Sequence, residues 1–99
     1  MSRVVRTAQG KDDMREIRQF IARDSRLYAQ HTIRRIRAVI HSCRRFPEAA
    51  AIVPEFDDPE IRETFIDRYR AIFRLTHKTI TVLTVIHGAR RLHLRPGSF

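Results

Sequence analysis

The sequence predicts an α+β domain: an N-terminal strand, a helical hairpin, then a three-stranded antiparallel meander that completes a four-stranded sheet. Three observations lead there. Apolar residues recur at helical spacing through the first half of the chain, they follow strand spacing from Ile61 to His87, and the helical half comes first. Two helices on one face of a mostly antiparallel sheet make a two-layer domain around one core.

Each element has its own signal. Val4 and Val5 centre a short strand over Arg3 to Thr7, and Gly10 breaks it. Asp12 and Asp13 then occupy the first turn of a helix, where carboxylates oppose the helix dipole. Met14, Ile17 and Ile21 follow at +3 and +4, and Phe20 widens that apolar face. Asp24-Ser25 closes the pattern and can cap the next helix. In that second helix, Ala29, Ile33, Ile36, Ile40 and Cys43 are spaced by 4, 3, 4 and 3, with Phe46 extending the seam before Pro47. Leu27 to Phe46 would span ~30 Å.

The second half reads as strands. Ile61 to Ile66 alternates, Asp67-Arg68 makes a tight connection, and Tyr69 to Leu75 alternates again. Thr76 to Thr79 forms a second hairpin turn. Thr79 to His87 is rich in β-branched residues and apolar on both faces, the signature of a central strand, and Gly88 ends it. The tail from Leu92 to Phe99 contains Pro96-Gly97 and is expected to be flexible. There is no internal repeat and no Gly/Ser linker, so residues 1–99 form one domain.

Charge gives the first functional clue. The 99 residues carry 20 Lys and Arg against 11 Asp and Glu, a net charge of +9. Only Lys11 and Lys78 are lysines, so the excess is arginine, the side chain suited to bidentate contact with phosphate or carboxylate. Ser25 to Phe46 is acid-free, Glu55 to Asp67 holds six acids with Arg62, and Arg68 to Phe99 is acid-free again. Such a chain calls for an anionic partner: RNA, DNA or an acidic protein. A lone cysteine, Cys43, excludes an internal disulfide and a Cys-pair zinc site, and His31, His41 and His77 lack ligand spacing, so no metal and no cofactor is expected. No stretch reaches the ~18 apolar residues of a membrane helix, and the N-terminus has no secretory apolar core, so a cytoplasmic protein is expected.

Three segments together resemble one family. Pro54-Glu55-Phe56-Asp57-Asp58-Pro59-Glu60-Ile61-Arg62-Glu63 is similar to the loop and strand of RelE/ParE toxins. Tyr69-Arg70-Ala71-Ile72-Phe73-Arg74 resembles their YRIIYRV strand, and Val85-Ile86-His87-Gly88-Ala89-Arg90-Arg91 resembles their VIHGARR strand end. The resemblance covers roughly residues 3 to 92. It implies a toxin of a type II toxin–antitoxin system, bound and neutralised by an acidic antitoxin in a hetero-oligomer. It leaves two target classes: DNA gyrase for ParE-like members, and mRNA in the ribosomal A site for RelE-like members, which cleave it. A shared fold does not choose between them.

For the nuclease class, the RNA 2′-hydroxyl is the nucleophile, so the protein must move protons and stabilise phosphate charge without a metal. The resemblance makes Arg70 and Arg90 the phosphate-handling arginines, with His87 as acid or base and Arg62 projecting from a similar face. Glu55 or Glu63 with His87 or His93 is a poorer match. Two departures favour the gyrase class: Ile61-Arg62-Glu63-Thr64-Phe65 stands where RelE has paired lysines, and the tail holds no tyrosine. Whether the protein is an enzyme therefore stays open. For target binding the candidates are Arg62, Arg70, Arg90 and Arg91, with Arg34 and Arg37 on the second helix. Each has a plainer role beside it. Arg70 and Arg74 could pair with Glu63 and Asp67, His87 could fix the Gly88 turn, Cys43 fits a core, and the helix arginines could be a solvated face.

Overall fold

The computed structural model describes residues 3–46 and 50–88. The elements run β1 (Arg3–Arg6), α1 (Ala8–Ala22), α2 (Arg26–Ser42), β2 (Ala51–Ile52), β3 (Ile61–Ile66), β4 (Tyr69–Leu75) and β5 (Thr79–His87). The α+β class and the order of the expected elements hold. The sheet has five strands rather than four, ordered β1-β5-β4-β3-β2. The extra strand pairs Ala51 with Glu63 and Ile52 with Arg62. Two residues are too few to show an alternation, which is why the sequence does not announce it. β1 lies parallel to β5, and the other pairs are antiparallel. β5 is an interior strand, paired on both sides by β1 and β4, in keeping with its apolar character on both faces, while β4 occupies the centre.

Both helices are capped by hydroxyls. Thr7 accepts the Gly10 N–H at 3.0 Å, and Ser25 accepts the Tyr28 N–H at 3.1 Å. Thus α1 starts at Ala8, not at the Asp12-Asp13 pair, and Gly10 lies inside it. A Cβ on Gly10 would sit 2.9 Å from the Val82 carbonyl oxygen, so glycine lets α1 press directly on β5. The Thr7 hydroxyl also reaches the carbonyls of Val82 and Leu83, each at 3.0 Å.

Asp13 does not decorate a helix end. It is buried, accepts the Gln9 amide at 2.8 Å and the Val85 N–H at 3.0 Å, and bonds the Thr84 hydroxyl. These last two donors lie beside the irregularity in β4–β5 pairing at Ile72/Phe73. A carboxylate from the helix layer therefore meets polar groups where the ladder is disturbed.

The main core lies between helices and sheet: Met14, Ile33, Ile36 and Ile40 meet Ile66, Ala71, Val82 and Val85. Full burial of each large aliphatic residue contributes about 1.5–3 kcal/mol. Cys43 packs with Ala50, Phe73 and Ile80, and burial raises its thiol pKa. Phe20 and Phe46, assigned to the apolar seam by spacing, are instead exposed, and α2 stops at Ser42, short of Phe46. On the opposite sheet face, Val53 and Phe56 cover Ile61, Ile72 and Leu83. The segment between β2 and β3 thus roofs a second small core. Asp67 takes a left-handed φ of 54° in the tight β3–β4 turn, a conformation aspartate tolerates better than most side chains. No described helix is long and apolar enough to cross a membrane.

Candidate functional site

Arg70 sits in β4 with its side chain 9% exposed. Its Nε donates to Glu63 Oε2 at 2.5 Å, and Nη1 and Nη2 donate to the two oxygens of Glu55, each at 2.9 Å. Register explains the first contact: Arg70 opposes Phe65, and Glu63 lies two residues along the same face of β3. The second comes from the roof segment, whose Glu55 reaches down over the sheet. Hydrogen bonding to Arg70 holds the Glu55 carboxyl below its usual value, and hydrogen bonding to Glu55 raises Arg70 above its own. The guanidinium fork is filled by carboxylates.

The neighbouring cations are also engaged, Arg74 by carboxylates and Arg62 by backbone carbonyls. Arg74 reaches Asp58 at 3.4 Å and Glu60 at 3.3 Å. Arg62 donates to the carbonyls of Pro59 at 2.7 Å and Ala50 at 3.1 Å. Asp67 pairs with Arg35 of α2 at 3.0 Å, not with Arg74. The acidic run from Glu55 to Asp67 therefore ties down Arg35, Arg70 and Arg74, and its contacts with Arg70 and Arg74 fasten the roof to the sheet.

This arrangement separates the residues that the nuclease reading would bring together. Arg62 opposes Phe73, three residues from Arg70, so Arg62 and Arg70 project from opposite faces. The expectation of a shared face fails because the distance along β4 is odd. His87 opposes Tyr69, while Arg70 opposes Ile86, so His87 also projects from the face opposite Arg70. The exposed His87 ring meets Tyr69 edge-on at 6.0 Å. Arg90 and Arg91, the tail from Leu92, and His93 lie outside the described residues. Among the described residues no cluster of His, Cys, Asp or Glu could hold a metal.

Arg34 and Arg37 are exposed on α2, with no ion pair among the described residues. Arg26, His31 and His41 are exposed on the same acid-free helix. Among the described residues α2 thus presents a run of exposed basic side chains, whereas Arg70 and Arg74 on the opposite sheet face are paired with acids. Sequence reasoning pairs Arg70 with Glu63 but misses Glu55, fifteen positions away. No local spacing signals a contact made by a roof folding back.

Residues 4–92 match the family model described as the ParE toxin of the type II toxin–antitoxin system, parDE. Among solved structures, one described as a chromosomal ParDE TA system from P. aeruginosa superposes with a TM-score of 0.71 at 18% identity. The match covers 88% of this chain and 96% of that one, and at this identity it speaks to the fold. No curated protein matches the chain by sequence.

Proposed function

The chain belongs to the ParE toxin family of type II toxin–antitoxin systems, and from that premise we propose that it inhibits DNA gyrase by binding rather than by catalysis. As a member it is the toxin of such a module and has an antitoxin as partner. The observation that carries the proposal is the Arg70 cluster. The arginine that a phosphate-cleaving relative would aim at RNA is here buried between Glu55 and Glu63, facing away from His87. A guanidinium saturated by two carboxylates is poorly placed to stabilise a developing phosphorane. The alternative of a ribosome-dependent mRNA endonuclease gains no support from the family match.

In this reading the contact surface is the helical layer, with Arg34 and Arg37 facing gyrase or its bound DNA. The antitoxin is acidic, matching the net charge of +9, and the pair assembles in the cytoplasm. A gyrase supercoiling assay with purified toxin tests the proposal. Linear DNA, from trapped double-strand breaks, should accumulate when toxin and ATP are present. Replacing Arg34 and Arg37 by glutamate should abolish it without unfolding the protein. Supercoiling that proceeds unchanged at saturating toxin, from a preparation that arrests growth, would contradict it.

A further inference from the structure

The outward face of α2 carries only cations and small or polar side chains along most of its length. Arg34, Arg37 and His41 recur at +3 and +4, so they stand in one row, with Gln30 and Ala38 beside them. All five are exposed. Arg26, also exposed, extends the row about two turns toward the N-terminus. From Arg26 to His41 the helix rises ~22 Å. No acid lies on α2, and neither Arg34 nor Arg37 has an ion pair among the described residues. Nearby acids are engaged or turned elsewhere. Asp67 holds Arg35, Asp12 holds Arg15, and Asp13 is buried against β5. Glu16 and Asp24 line clefts beside Tyr69 that Arg34, Arg37 and His41 do not border.

A protein partner would need an apolar or aromatic anchor near the centre of its footprint. The large exposed apolar side chains of α2, Leu27 and Tyr28, stand at its N-terminal end, and none lies between Gln30 and His41. A polyanion needs no such anchor, because cations that release counterions from phosphates bind through charge alone. Duplex DNA carries one phosphate charge per ~1.7 Å of its axis, so a row of ~22 Å faces about a dozen of them. The arginine fork suits phosphate oxygens. We propose that the Arg34–Arg37–His41 row binds the phosphate backbone of duplex DNA directly, whatever its base sequence. Phosphate contacts fix position and carry no sequence information. Of the two partners left open for this face, gyrase or its bound DNA, the row meets the DNA. This inference rests on the gyrase reading for its choice of DNA over RNA.

Fluorescence anisotropy of a labelled duplex of mixed sequence, titrated with the full-length toxin and no gyrase, tests the site. With three or four phosphates engaged, affinity should fall about 40–150-fold between about 50 and 200 mM salt. Arg34→Gln with Arg37→Gln should flatten the slope of log affinity against log salt by about two, and equally on a duplex of unrelated sequence. Arg35→Gln removes one charge from the same helix, as Arg34→Gln does, but from the side chain that Asp67 already holds. It should leave the slope almost unchanged. Thermal unfolding matched to wild type shows that the variants fold. Equal losses in Arg35→Gln and Arg34→Gln would mean that net charge alone draws DNA, and would overturn the inference. A slope near zero, or RNA of the same length bound more tightly than the duplex, would overturn it too. The gyrase assay separates the two readings. Trapped breaks from a toxin that binds no free duplex would overturn the inference and leave gyrase inhibition standing. The expected slopes from a toxin that leaves supercoiling untouched would overturn gyrase inhibition and leave the DNA site standing.

Discussion

Arg70 shows how one side chain can be read two ways. By motif it is a phosphate ligand, and by geometry it is the pin of a buried cluster with Glu63 and Glu55. Removing one partner of a buried pair leaves an uncompensated charge, which costs about 3–5 kcal/mol. Arg70→Ala should therefore lower stability by about that much, with Glu63→Gln lowering it less, and urea unfolding measures both. A pure target-binding arginine would leave the unfolding midpoint unchanged. Glu55 makes the cluster sensitive to acid. Its folded-state pKa lies below the ordinary value of 4.5, chiefly through its bonds to Arg70. The unfolded chain therefore takes up this proton first as pH falls. The stabilisation is full above 4.5 and is lost as pH drops through the lower folded value. Unfolding midpoints measured from pH 6 to pH 3 should fall less steeply in Glu55→Gln than in wild type. The pairing of Arg70 with Glu63 is legible from strand alternation. Glu55 is not, because its approach depends on how residues 53–60 fold over the sheet.

At the scale of elements, α1 and β5 form the most specified contact. Gly10 brings the helix against the Val82 carbonyl, Thr7 caps the helix and bonds the same strand, and Asp13 meets the Thr84 hydroxyl and the Val85 N–H. Gly10→Ala would normally gain about 1 kcal/mol in helix propensity. Here it should lose about 1–3 kcal/mol, because the added methyl meets backbone that cannot turn aside. Thermal unfolding decides the sign, and a stabilised variant would show that α1 can shift freely on the sheet. Periodicity reveals the helical hairpin, the meander and the interior place of β5. It hides the start of α1 because Gly10 reads as a breaker and Asp12-Asp13 as a first turn. Local propensity pointed to a boundary that tertiary contact with β5 overrides. Phe20 and Phe46 mislead in another way: their spacing fits the seam, yet Phe20 stays exposed on α1 and Phe46 lies past the end of α2 at Ser42.

Across the whole molecule, charge is sorted by layer. The acids of residues 55–67 neutralise Arg70, Arg74 and Arg35, while Arg34 and Arg37 on α2 and Arg6 at the β1 edge have no ion pair among the described residues. The charge runs are visible in the sequence, but which run is cancelled requires the register of β3 and β4. In the proposed reading such a toxin would act by presenting a basic surface, and Arg62 and His87 project from the sheet face opposite Arg70. The most direct test is to arrest growth with the expressed toxin and map DNA breaks and mRNA ends in the same cells. The account predicts double-strand breaks at gyrase sites with mRNA left intact. An unbroken chromosome together with mRNA cut inside codons would contradict it.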